Sequence, residues 1–246
     1  MKHCRIMLAA FVVLGAATQG MVAQFQLPDL GGKVAQSGVL GSGLNDAQIG
    51  SGLKDALSVG TQKAVKLVDH PGGYLDNPAI KIPLPKSLQM VETIVRGAGQ
   101  GPKIDEFVAS MNHAAESAAP EAAPIFADAV KSMTIDDARK LLNGGDTSIT
   151  DYFKAKTSTQ LATAFRPHVE AAMKTNGVME QYQALAGRMP KMSFLGGGGG
   201  SNLDINTYVV NKALDGLFYM LGQQEKEIRT NPAARSTALL QKVFGR

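Results

Sequence analysis

The residues with reaction chemistry in this chain are few and scattered. His113 and Glu116 stand three positions apart, so on a helix they share a face, with Asp105 and Glu106 two turns upstream. A helical two-metal centre needs Glu-x-x-His on each of two helices plus further carboxylates. This chain offers one such pair in reverse order, so the expectation is a surface or capping cluster, with no metal. Arg166 and His168 flank Pro167, where a helix kink would free backbone carbonyls. Arg166 would suit a carboxylate or phosphate, and more readily an internal acid such as Asp215 or Glu116 that fixes helix register. Asp215 lies beside Gly216 in an apolar run, where it must be partnered or face a cavity. Serines are plentiful, yet there is no Gly-x-Ser-x-Gly elbow and no histidine in a catalytic context. The glycine run Gly196 to Gly200 has no Gly-Lys-Ser/Thr and no preceding strand, so it reads as a loop and not a phosphate cradle. Asn112, Glu116, Tyr152, Arg166, His168 and Asp215 are therefore candidate ligand or partner contacts. No catalytic residue, cofactor or metal is expected.

The elements that would position these residues are helical almost throughout. The longest continuous helical signal is Asp204 to Arg229, with apolar residues at Ile205, Tyr208, Val209, Leu214, Leu217, Phe218, Leu221 and Ile228. Phe218, Tyr219 and Met220 widen that stripe towards the whole circumference, which predicts a central helix buried on most sides. Asn45 caps a first helix over 46–69, with Gly60 on its apolar face as a point of close approach. Further helices are expected over 87–96, 103–119, from Pro124 to Met133, and to Leu142 from a capping box at Thr134 and Asp137. Ser148 and Asp151 repeat that capping signal before a helix that Pro167 should kink or split, its second half running from His168 to Thr175. A short helix follows over 177–187, and 191–202 reads as a loop. Between the first two helices, Tyr74 to Pro85 carries three prolines, and Ile80, Ile82 and Leu84 alternate as in a half-buried strand. The fold class expected is all-α, a multi-helix orthogonal or bundle-like single domain with a proline-rich extended strap or short β-ribbon.

Residues 1–20 read as a signal peptide, from the basic Lys2 and Arg5 and an apolar run from Ile6 to Ala17. That run is too short to span a bilayer. Residues 21–45, rich in Gly, Ser and Gln, read as a flexible tether, and 46–246 as the helical domain. Cys4 is the only cysteine and would leave with the signal, which excludes disulfides and thiol catalysis in the remainder. The formal charge of +4 falls by two when Lys2 and Arg5 leave. Basic and acidic residues are interleaved along each helix, so no nucleic-acid partner is expected.

The strings Leu53-Lys-Asp-Ala-Leu57, Tyr74-Leu-Asp-Asn-Pro78, Ile82-Pro-Leu-Pro85 and Ser110-Met-Asn112 with Glu116 carry a resemblance, as do Ala138-Arg-Lys-Leu-Leu-Asn-Gly144, Phe165-Arg-Pro167 and Lys212 to Met220. From about Leu44 to its end the chain resembles the bacterial exported domain-of-unknown-function family 4197. The resemblance implies a secreted, mainly helical domain with no established activity, and brings no catalytic or binding residues.

The function expected first is a non-enzymatic binding or interaction protein of the periplasm or cell envelope. Its partner would be an envelope protein or a hydrophobic ligand. Second is a carrier of lipid or peptide, with an apolar cavity between the central helix and the strap, or a groove lined by Met111, Met133, Met173, Met179, Met189, Met192 and Met220. Third is a hydrolase or metal enzyme, with buried acids converging on Arg166, His168 or His113.

Overall fold

A computed structural model describes residues 46–175 and 204–231. The seven α-helices among them are α1 (Asp46–Lys66), α2 (Gln89–Gly97), α3 (Gly101–Ala118), α4 (Ala122–Ser132), α5 (Ile135–Leu142), α6 (Ser148–Thr175) and α7 (Ile205–Thr230). Short 3-10 turns precede α2 (Lys86–Leu88) and join α3 to α4 (Ala119–Glu121). The expected signal peptide, tether, helix over 177–187 and glycine loop fall outside the described residues.

α7 packs against α1, α3 and α6, and α6 also packs against α3 and α4. α1 covers α4 and α5, while α2 lies on α3. The core is therefore continuous around α6 and α7, as the long apolar pattern of α7 predicts. Phe126 of α4 meets Phe153 of α6 edge-on, with ring centres 5.3 Å apart, and lies 6.2 Å from Phe218 of α7. Phe126 and Phe153 are fully buried. Burying side chains of that size contributes ~1.5–3 kcal/mol each.

Two helices depart from the expected bounds. α1 stops at Lys66, so Leu67 falls beyond the apolar face and is exposed. Pro167 lies within α6, which is one continuous helix from Ser148 to Thr175 and not two. The capping box of α5 forms as expected: Thr134 Oγ1 accepts from Asp137 N–H, and the Asp137 carboxylate accepts from Thr134 N–H. The Thr134 hydroxyl, which also donates to the Asp137 carboxylate at 2.8 Å, and then the Thr134 N–H hold that carboxyl below the usual carboxylate range.

The strap or β-ribbon over Tyr74 to Pro85 requires correction, for no strand occurs among the described residues. The chain from Pro71 to Ile80 is a succession of turns, closed by Asp76 N–H to Gly72 O, Asn77 N–H to Tyr74 O and Ile80 N–H to Asn77 O. Gly72 takes a φ of +86°, open to glycine at little steric cost. Ile80, Ile82 and Leu84 are buried, but what Ile82 pairs with is a side chain. Asn112 Oδ1 accepts from Ile82 N–H at 2.8 Å, and Asn112 Nδ2 donates to Ile82 O at 3.0 Å. One carboxamide thus supplies both bonds that a neighbouring strand would have made, and satisfies a buried backbone without a ladder.

Candidate functional site

The residues singled out in the sequence do not converge. Asn112 and Glu116 are both buried on α3 and both hold the 73–85 connection. Glu116 Oε1 accepts from the N–H groups of Tyr74 and Leu75, at 3.0 and 3.1 Å. Its other oxygen meets His113 Nδ1 at 2.7 Å. Asp105, two turns upstream, is engaged by Arg96 at 2.7 Å, which holds its carboxyl below the usual range. Among the described residues no three His, Cys, Asp or Glu side chains are grouped to hold a metal.

Arg166 pairs with neither Asp215 nor Glu116. It donates to Thr207 Oγ1 at 3.1 Å and stands 3.6 Å from both Glu170 and Asp204. Asp204 caps α7, accepting from Asn206 N–H, Thr207 N–H and the Thr207 hydroxyl. The Thr207 hydroxyl first, with the two N–H groups and Arg166, draws the Asp204 carboxyl below its ordinary value. His168 meets Glu121, in the 3-10 turn before α4, at 3.2 Å, on a separate exposed edge. Tyr152 is half-buried edge-on to Phe153, with the Lys156 ammonium 6.0 Å from its ring centre. Asp215 is exposed and pairs with Lys212 at 3.0 Å, so it faces solvent and no cavity. The reason lies in the spacing of α7: Asn211, Asp215, Tyr219 and Gln223 recur every four residues, with Lys226 after them, and form its exposed stripe.

Beneath the 73–85 connection the packing is close. Gly216 is buried, and a Cβ there would stand 2.6 Å from Tyr74 Cε1 and 3.1 Å from Ile80 Cβ. The Tyr74 hydroxyl donates to Ala213 O at 2.7 Å. Burial first, with the Glu116 carboxylate adding, pushes the Tyr74 phenol far above its ordinary value. Folded protein therefore keeps this proton where an unfolded tyrosine, titrating near pH ~10, loses it. Stability from Tyr74 is full below that pH and falls as pH rises through it. In an alkaline absorbance titration, one of the chain's five tyrosines should ionise only on unfolding. Tyr74→Phe should remove that delayed step.

The opening that the candidate residues do not predict lies where α7 passes the start of α6. Its anchor is Glu225, fully buried, whose carboxylate accepts from Ile149 N–H at 3.0 Å and from Thr150 N–H and Oγ1 at 2.9 and 2.8 Å. It caps α6 from another helix. Ser148, expected to cap α6, instead lies inside it, donating to Leu141 O and accepting from Arg229. Arg229 completes the knot, 2.9 Å from Glu225 and donating to Leu141 O. Beside this tie runs a groove of about 400 Å³. Phe218, Gly222 and Thr150 line it, with Tyr219 on its edge. Asp146 and Thr147 border it from the turn before α6, and Gln223, Lys226, Arg229 and Thr230 from α7. The volume falls in the range of small-molecule sites.

The described residues form an all-helical fold in which the buried Asn112, Glu116 and Glu225 hold turns and helix ends. The chain belongs to the family described as protein of unknown function (DUF4197), whose model matches residues 43–245. No curated protein and no solved structure matches it.

Proposed function

We propose that this chain is an exported binding protein of the periplasm or cell envelope, and that it receives its ligand or partner in the groove between α6 and α7. The observation that supports this is the contrast between the groove and the rest of the domain. Glu116, Asn112, Tyr74 and Glu225 are occupied with backbone groups, while the groove keeps an apolar floor open to solvent. The sequence of residues 1–20 supports export, and no described helix is long and apolar enough to cross a membrane. The carrier reading needed a cavity between α7 and the 73–85 connection. Tyr74 and Ile80 fill that space against Gly216, so the groove is the better place for a ligand.

The test is mass spectrometry of the protein recovered from a periplasmic fraction, under native and denaturing conditions. The expected chain lacks roughly its first 20 residues, as a cleaved signal requires. It should carry a mass excess that is lost on denaturation and reduced by Gly222→Leu, which fills the groove. A full-length chain confined to the cytoplasm would defeat the exported reading. An excess that Gly222→Leu leaves unchanged would place the ligand elsewhere.

A further inference from the structure

Three polar side chains bordering the groove have no hydrogen-bond or ion-pair partner among the described residues: the Asp146 carboxylate, the Lys226 ammonium and the Gln223 carboxamide. Their neighbours are engaged. Thr147 donates to Asp151, Thr230 to Lys226 O, and Thr150 and Arg229 are tied to Glu225. The apolar share comes from Phe218 and from Tyr219, which is 46% exposed although aromatic. The groove therefore presents one negative charge, one positive charge, one amide and an aromatic edge, all exposed and available to a ligand that matches them.

From this we infer that the groove binds a short peptide with free ends and an apolar side chain, of about dipeptide size. The inference rests on the binding reading above and names its ligand. Asp146 receives the terminal ammonium and Lys226 the terminal carboxylate. Gln223 offers one donor group and one acceptor, which match the C=O and N–H of a peptide bond. The apolar side chain lies over Gly222 against Phe218 and Tyr219. Gly222 matters here through what it lacks. A Cβ there would be 3.5 Å from Thr150 Oγ1, an ordinary contact, so the bare backbone is not forced by packing and leaves the floor open.

The experiment is an amide chemical-shift titration of the full-length protein with three probes: the dipeptide Leu-Phe, its N-acetylated C-terminal amide, and decanoate. Leu-Phe should shift the amides of Thr147, Thr150, Gly222 and Gln223 in a saturable way. The blocked peptide should bind at least about tenfold more weakly, as should Leu-Phe with Asp146→Asn or Lys226→Gln, each having lost a charge-assisted bond. Both substitutions are at exposed positions, so folding is not at stake, and the unshifted remainder of the spectrum verifies it. Equal binding of blocked and free peptide, or indifference to both substitutions, would overturn the assignment. If decanoate shifts these amides and Leu-Phe does not, the groove binds a ligand but the peptide inference fails. If no probe shifts them, the peptide inference and the groove reading both fail.

Discussion

Glu225→Gln should be the most damaging single-atom change in the described domain, lowering stability by about 3 kcal/mol or more. The carboxylate has no solvent exposure and serves two backbone N–H groups, one hydroxyl and one guanidinium. Replacing one oxygen by NH2 sets a donor against a donor at the first turn of α6 and removes the charge that Arg229 faces. Breaking a buried pair from one side costs about 3–5 kcal/mol. The lower end applies here because Arg229 keeps a 12% edge to solvent. For a domain of this size each kcal/mol moves the melting temperature by roughly 2–4 °C. Scanning calorimetry should therefore show a drop of roughly 6–12 °C. A change below about 1 kcal/mol would mean that the cap contributes no more than an exposed pair.

Gly216→Ala should be the second most damaging, although alanine is the better helix former by about 1 kcal/mol. The new methyl would overlap Tyr74 Cε1 at 2.6 Å. The ring cannot swing aside freely, since its hydroxyl is bonded to Ala213 O and its own N–H to Glu116. Overpacking of this kind costs about 1–3 kcal/mol, so the net should still be destabilising. Gly222→Ala, six residues along the same helix, is the internal control. Its Cβ meets only an ordinary contact, so it should raise stability by up to about 1 kcal/mol. Chemical denaturation of the two variants side by side reads the difference, and a stabilised Gly216→Ala would sink the close approach.

The pattern of success in the sequence follows from what a sequence encodes locally. Apolar spacing located the helices, and the Thr134–Asp137 box identified the start of α5, because those signals are complete within a few residues. The connection over 73–85 was misread as strand-like for the same reason. Its alternation is real, but whether a strand forms depends on what faces it, and that is Asn112, 30 residues away. Asp215 was misjudged because its apolar neighbours in sequence are not its neighbours in space; Lys212 and solvent are. Of the proposed groove, Tyr219 is misplaced by its sequence neighbours: beside Phe218 and Met220 it reads as part of a helix apolar on most sides, yet it is 46% exposed. Asp146 and the α6 cap were not legible, since 76 residues separate Ile149 from Glu225.

The place of α7 in the chain also has a consequence for time. The helix at the centre of the described core is the last of the described helices, and its ties reach back 139 residues to Tyr74 and 76 to Ile149. Closing loops of that length is entropically costly before any contact offsets it, and such non-local pairings slow folding. On a ribosome, α1 to α6 therefore emerge with their shared apolar faces still waiting for α7. Until α7 has been made, the faces of α1, α3 and α6 that pack on it have no cover, and the growing chain must keep them from other contacts for that interval.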